Sequence, residues 1–376
     1  MPGRFIPVAE PALAGNERKY VLDCLDTNWV SSRGQYIDRF ERAFAEFCGA
    51  SHAVSCTNGT VALHLALLAL GIKPGDEIIV PTLTFVATAN AAMYCGATPV
   101  FVDIEPATWN IDPARIEERI TPRTRAIIVV HLYGHAVDMD AVMAIARKHK
   151  LYVIEDAAEA TGATYKGKVV GSMGDLSTFS FFGNKVISTG EGGMVTTNDP
   201  AIAALVRQLK EQGMDPNRRY WFPLVGYNYR MTNIEAAIGL AQLEMIDWHM
   251  ARRIELAAWY REELEGQPGL SWQVVQPWAR HVYQFVTVVV DPSLGVERAD
   301  IIAHMHTRGV EGRPVVFPMH ELPPFAGLAQ GQTFPHAEHV SRHGINLPTS
   351  ASLTRDEVKR VCESLLERLA PVSTAR

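Results

Sequence analysis

Residues 125–156, "RAIIVVHLYGHAVDMDAVMAIARKHKLYVIED", place two apolar, β-branched runs on either side of a stretch whose apolar residues recur at helical spacing. "RAIIVVHLYG" (125–134) and "LYVIED" (151–156) read as strands, and "DMDAVMAIARKHK" (138–150) as the helix between them. Strands that stay apolar without alternation, joined through a helix, are neighbours in a parallel sheet covered on both faces. The pattern repeats towards the N-terminus in "HAVSC" (52–56), "DEIIVP" (76–81) and "TPVFVD" (98–103), with the helical "TVALHLALLAL" at 60–70. The expected fold class is α/β, a large domain built on a mostly parallel mixed sheet flanked by helices.

After about residue 230 the rhythm changes. "MTNIEAAIGLAQLEMIDWHMARRIELAAWYREEL" (231–264) reads as one or two long helices, followed by the strand "YQFVTVVVD" (283–291), the helix "RADIIAHMHTRG" (298–309) and a closing helix "TRDEVKRVCESLLERL" (354–369). This predicts a large domain over residues 1–245 and a smaller α+β domain over 246–376. A chain of 376 residues with 47% hydrophobic content can bury both cores.

The net charge is −6 and the basic residues form no runs, which argues against nucleic acid or an anionic membrane surface as partner. Five widely spaced cysteines show no CxxC pairing, so neither a zinc site nor a disulfide framework is expected, and a reducing cytoplasm fits best. The N-terminus "MPGRFIPVAEPALAGNERKY" lacks the apolar core of a signal peptide, and no segment reaches the length of a membrane span.

In open α/β sheets ligands gather at the carboxyl ends of the strands. After "HAVSC" comes "TNGT", where Gly59 and Thr60 open an apolar helix; such a start offers free N–H groups to a phosphate, though an Asn-Gly-Thr turn taken alone is more often a plain helix cap. After "DEIIVP", "TLTFVATANA" brings Phe85 to the same edge, as a stacking plate or as core. Asp156 directly follows "LYVIE", where a buried carboxylate needs a partner unless it caps a helix. Lys185 follows the strand "STFSFF" (177–182), held at its end and trailed by the glycine-rich "STGEGG" (188–193). Phosphate site, aromatic plate, acid and lysine together describe a pocket for pyridoxal 5′-phosphate. Lys185 supplies the amine that condenses with its aldehyde, Asp156 pairs with the pyridine nitrogen, Phe85 stacks on the ring, and Gly59, Thr60 and the Ser180 hydroxyl take the phosphate. A nicotinamide reading fails because no GxGxxG follows the first strand.

The segment "EDAAEATGATYKGKVVGSMGDLSTFSFFGNKVISTGEGGMVTTND" (155–199), with "TNGTVALHLAL" (57–67) before it and "VGYNYRMTNIEAAIGLAQL" (225–243) after it, resembles the sugar aminotransferases of the DegT/DnrJ/EryC1/StrS family. The resemblance runs from "NWVSSRGQYIDRFERAFAEFCGASHAVSCTNGT" (28–60) to "GINLPTSASLT" (344–354). It implies a fold-type I aminotransferase acting as a homodimer with shared active sites, in which Asn228 of "GYNYR" reaches the other subunit's phosphate. Glu159 stands beside the cofactor's 3-oxygen, where many members carry Gln or His. Related dehydratases have histidine at the lysine position, so Lys185 implies transamination. The donor would be L-glutamate. "HLYGHAVDMD" (131–140), "FSFFGNKVISTGEGGM" (179–194), "GMDPNRRYWFPLVGYNYRMTN" (213–233) and "RPVVFPMH" (313–320) are nearest to members that aminate GDP-4-keto-6-deoxy-D-mannose. The alternatives are a 3-keto sugar, a dTDP- or UDP-linked sugar, a keto-deoxyoctulosonate, or a non-catalytic regulator of the same fold. Arg313, Arg219 with its neighbour Arg218, Tyr283 and His320 are candidate substrate residues, the arginines because a guanidinium suits a diphosphate or carboxylate.

Overall fold

The computed structural model describes residues 4–329 and 331–369. Helices α1 (Glu17–Asp26) and α2 (Gln35–Cys48) lead into an alternation of β1 (His52–Cys56), α3 (Gly59–Ala69), β2 (Glu77–Pro81), α4 (Ala87–Tyr94), β3 (Thr98–Val102), β4 (Thr124–Val130), α5 (Met139–His149) and β5 (Tyr152–Asp156). A small hairpin of β6 (Thr164–Tyr165) and β7 (Lys168–Val169) precedes β8 (Leu176–Ser180), β9 (Gly193–Thr197) and α6 (Pro200–Lys210). These strands, the hairpin apart, form a seven-stranded sheet in the order β1-β9-β8-β5-β4-β2-β3, in which β9 alone runs against the rest.

Alternation along each strand divides the core into two layers. Ile78, Val80, Ile128 and Ile154 face α3 and α4, while Ile79, Ile127, Val129 and Val153 face the layer of α2 and α5. The expected strand at 125–134 ends at Val130; Tyr133 then takes a left-handed backbone (φ 55°) and turns the chain away from the sheet. Asp138 caps α5 by accepting from the Ala141 N–H, and Arg147, Lys148 and His149 occupy its last turn, where positive charge suits the helix dipole.

The long helical segment divides into α7 (Asn233–Glu244) and α8 (Ile246–Leu264). Thr232 and Glu235 build a reciprocal capping box at the start of α7, and Met245 forms the break. Beyond it come β10 (Leu270–Trp272), β11 (Ala279–Arg280), β12 (Val286–Val290), α9 (Arg298–Thr307), β13 (Arg313–Pro314), α10 (Pro335–His343), β14 (Gly344–Leu347) and α11 (Arg355–Leu369). The sheet β10-β12-β14-β13 packs on α8, α9 and α11 through Leu256, Tyr260, Val288, Ile345 and Val361. The N-terminal segment joins this second core. Ile6 bridges Val310 and is fully buried there, while Val8, whose carbonyl accepts from the Thr349 N–H, is buried with the large-sheet core, so the first residues touch both cores.

Candidate active site

The carboxyl ends of β1, β2, β5 and β8 lie along one edge of the large sheet, and each delivers one element of the site. After β1, Asn58 caps α3 by accepting from the Val61 N–H at 2.9 Å, leaving the Gly59 and Thr60 N–H groups at the helix start without a backbone partner among the described residues. A Cβ on Gly59 would stand 2.7 Å from Ser180 Cβ and 3.2 Å from its Oγ, so glycine keeps open the narrow space between this helix start and the end of β8. An anion fits that cradle: two free N–H groups, the positive end of a helix and a hydroxyl converge on it.

After β2, Phe85 is 60% exposed, so it presents a bare ring at the sheet edge and is not core. Three residues on, Thr88 is buried on α4 and donates to Asp156 Oδ2 at 2.8 Å, while Thr84 and Thr88 share a 3.0 Å bond. At the end of β5, Asp156 is buried, and its Oδ1 also accepts from the Ala158 N–H at 3.2 Å. Burial raises its pKa, with Thr88, Ala158 and Lys185 acting against that. No ion pair among the described residues includes Asp156. A buried carboxylate without a cation suits a protonated ring nitrogen, which would supply the missing charge.

The neighbouring Glu155 points to the other face, fully buried, and has a different task. It accepts from His131 Nε2 at 3.2 Å, from the N–H groups of Gly171, Met173 and Gly174, and from Ser177 Oγ. Burial would raise its pKa, but these donors outweigh it and hold the carboxyl below its ordinary value. This pair fastens the 171–174 loop to β5 and fixes the strand end that carries Asp156.

Lys185 is not on the strand end that the sequence suggested. It lies beyond β8 in a turn closed by its N–H donating to the Phe182 carbonyl at 2.9 Å, because the ladder to β9 stops at Ser180. Its Nζ is 3.6 Å from Glu159 Oε1, and Glu159 Oε2 accepts from the Tyr133 N–H at 3.0 Å. Amine, Glu159 and the turn after β4 are thus one connected unit. Asn228 is exposed, and its side chain enters no hydrogen bond among the described residues; the next residue, Tyr229, accepts from the Thr57 N–H beside the α3 cap.

The candidate substrate residues are engaged elsewhere. Arg313 pairs with Glu311 at 2.6 Å, and Arg219 lies exposed over Tyr220. Tyr283 stacks on His281 with ring centres 4.1 Å apart. His320 Nδ1 shares a 2.7 Å bond with Thr82 Oγ1, holding the segment that carries Phe85, and burial lowers its pKa. None of the four hydrogen-bonds to Lys185, Glu159 or Asp156. Sequence reading missed Thr88 and Tyr133 at the site, and passed over the buried Arg253 on α8. Thr88 and Tyr133 carry no mark in sequence, but Arg253 was visible as a charge on the apolar stripe of α8, at helical spacing from Ile246, Met250, Ala257 and Tyr260.

A family model for "DegT/DnrJ/EryC1/StrS aminotransferase family" matches residues 11–366. The chain belongs to that family. The GDP-perosamine synthase of Caulobacter vibrioides is 56% identical over 364 residues, covering 96% of this chain and 97% of that protein. The GDP-perosamine synthase of Escherichia coli O157:H7 is 47% identical over 97% and 98% of the two chains. Among solved structures, S. venezuelae DesV in complex with a ketimine intermediate superposes with a TM-score of 0.91 at 35% identity, over 98% of this chain and all of that one. DesI, solved with its TDP-sugar product, gives 0.91 at 33% identity over 98% and 93%. The α/β architecture expected from residues 125–156 is therefore that of the family's sugar aminotransferases.

Proposed function

We propose that this aminotransferase moves the amino group of L-glutamate onto GDP-4-keto-6-deoxy-D-mannose, giving GDP-perosamine, with pyridoxal 5′-phosphate as cofactor. The observation that carries the reading is 56% identity to a GDP-perosamine synthase over nearly all of both chains, with the lysine of the sugar-aminating members retained as Lys185. A dTDP-3-amino-3,4,6-trideoxy-α-D-glucose transaminase of Streptomyces venezuelae is 38% identical over 89% of the chain, which favours a dTDP sugar less.

Bound pyridoxal phosphate supplies an aldehyde for an amine and a protonated ring that takes up electrons when a C–H bond beside that nitrogen breaks. Asp156, aimed by Thr88, would hold a proton on the ring nitrogen. The Gly59 and Thr60 N–H groups and Ser180 Oγ would hold the phosphate, and Phe85 would lie against the ring. Lys185 Nζ would move a proton from the α-carbon of glutamate to the cofactor in the first half-reaction, and from the cofactor to the sugar carbon that receives nitrogen in the second, so the amine ends each half-reaction as it began. Glu159, 3.6 Å from that amine, would offset its positive charge while it carries the proton.

The same reading makes the enzyme a homodimer. Trp29, Tyr220, Trp221, Phe222 and Val225 are large apolar side chains left exposed, and Asn228 beside them is free to reach a second subunit's phosphate. Five buried free thiols suit the cytoplasm, and no helix among the described residues is long and apolar enough to cross a membrane.

A two-step spectral assay tests the assignment. Protein loaded with pyridoxal phosphate loses its visible band on L-glutamate and, after removal of the donor, regains it on GDP-4-keto-6-deoxymannose with an amino sugar detected by mass. Bleaching by glutamate without recovery would retain the transaminase and overturn the sugar.

A further inference from the structure

Arg253 is an arginine on the buried face of α8, 3% exposed, and no ion pair among the described residues includes it. Its partners are backbone carbonyls: Nη1 donates to Tyr283 and Gln284, both at 3.1 Å, and Nη2 to Lys185 at 3.3 Å. Its Nε has no hydrogen-bond partner, and burial lowers its pKa to about 10. Placing a cation there without a carboxylate is unfavourable for stability alone, where an apolar side chain on the same stripe would serve better.

The bonds around it form a closed circuit. Gln284 Nε2 donates to the Asn184 carbonyl at 2.5 Å, so two successive carbonyls of the lysine turn are held from the same side. The Gln284 N–H donates to the Tyr133 carbonyl at 2.8 Å, and the Tyr133 N–H donates to Glu159, which stands 3.6 Å from Lys185 Nζ. Both the backbone and the amine of Lys185 are therefore referred to one residue at the entry of β12. Tyr133 and Tyr283 flank the circuit in left-handed backbone (φ 55° and 49°), conformations that non-glycine residues hold only where the surroundings impose them.

We propose that Arg253 and Gln284 are positioning residues for the proton-transfer amine, fixing the reach of Lys185 Nζ by clamping the carbonyls of residues 184 and 185. This rests on Lys185 being the amine that engages the cofactor. The bonds from Lys185 to Phe182 and from Thr189 and Ser188 to Phe181 close the segment but leave the carbonyls of 184 and 185 to Gln284 and Arg253, and a misplacement of the amine by about 1 Å is enough to lose about a hundredfold in rate.

The test compares Arg253→Met, Arg253→Lys and Gln284→Leu with wild type. Hydrogen exchange of residues 181–190 is measured without cofactor, and borohydride trapping of pyridoxal phosphate on Lys185 is followed by peptide mass. Expected for Arg253→Met and Gln284→Leu are faster exchange in that peptide, slower trapping, and a single-turnover rate with L-glutamate reduced by about tenfold or more while glutamate affinity moves little. Arg253→Lys, which keeps the charge and one donor direction, recovers part of the rate. Exchange and trapping equal to wild type in variants that fold would overturn the clamp. Should Arg253→Met fail to fold, Gln284→Leu, which leaves the arginine in place, carries the same comparison. Failure of wild type to trap at Lys185 at all would instead overturn the cofactor reading beneath it.

Discussion

At Asp156 a single residue opposes stability near neutrality, and the proposed chemistry gives a reason for it. Its pKa is raised above the ordinary 3.8 chiefly by burial, so the folded chain binds a proton there more tightly than the unfolded chain does. The stabilising contribution is present below 3.8 and is lost as pH rises through the folded value, which leaves an ionised, unpaired carboxylate as a destabilising feature near neutrality. Asp156→Asn should therefore leave the cofactor-free protein at least as heat-stable as wild type at pH 7.5, while lowering turnover about a hundredfold or more, the size of a lost catalytic electrostatic contact. A melting curve and a glutamate half-reaction check the two halves; a variant both less stable and nearly fully active would contradict both. Lys185→Ala carries a sharper expectation: no visible band on adding pyridoxal phosphate and no exchange between glutamate and the sugar. Retained turnover in that variant would remove the lysine from the chemistry.

At the scale of elements, the site depends on two strand ends approaching a helix start. Gly59 is helical, so alanine would ordinarily be accepted there or even favoured, yet its Cβ would press on Ser180 in the proposed phosphate cradle. Gly59→Ala is expected to fold with an unchanged far-ultraviolet spectrum and to weaken pyridoxal phosphate at least about tenfold in a spectral titration, a loss of about 1.4 kcal/mol; unaltered affinity would place the phosphate elsewhere. Legibility followed the same division. The strands at 52–56, 77–81 and 152–156 were readable because each is a short apolar run that the sheet buries on both faces. The reversal of β9 was not, since strand direction depends on which neighbour supplies the hydrogen bonds and leaves no periodic mark. Lys185 and Asp156 stood out as polar residues following apolar runs. Thr88, Tyr133 and Gln284 did not, because they act through one hydroxyl, one N–H and one amide, groups that any loop contains.

Across the whole molecule, three of the five imidazoles buried among the described residues, His135, His249 and His281, bear most on the response to acid. His135 and His281 lie edge to face with ring centres 5.7 Å apart, where the turn after β4 meets the segment leading to β12. The Gln276 N–H donates to His135 Nε2 at 3.0 Å, and the Tyr283 N–H to His281 Nδ1 at 2.8 Å, so each ring uses one nitrogen as an acceptor and must stay neutral to keep that bond. His249, on α8, has no partner at Nε2 and sits near the cationic Arg253. Burial lowers the pKa of His135 and of His249 to about 4 and holds His281 well below 6.5. The unfolded chain then binds more protons than the folded one between pH 4 and 6.5, so stability is fully present above 6.5 and falls as pH drops through that interval. Each proton contributes a slope of about 1.4 kcal/mol per pH unit where only the unfolded state is protonated. Asp156 acts with the opposite sign and softens the loss only at its acidic end. Urea unfolding of the cofactor-free protein at pH 7.5, 6.0 and 5.0 should show a midpoint that falls with acid, and His249→Gln should flatten the curve by close to one proton because that ring gives up no hydrogen bond at Nε2. A midpoint unchanged between pH 7.5 and 5.0 would mean that these rings take up protons in place, and that the contact between the layers tolerates their charge.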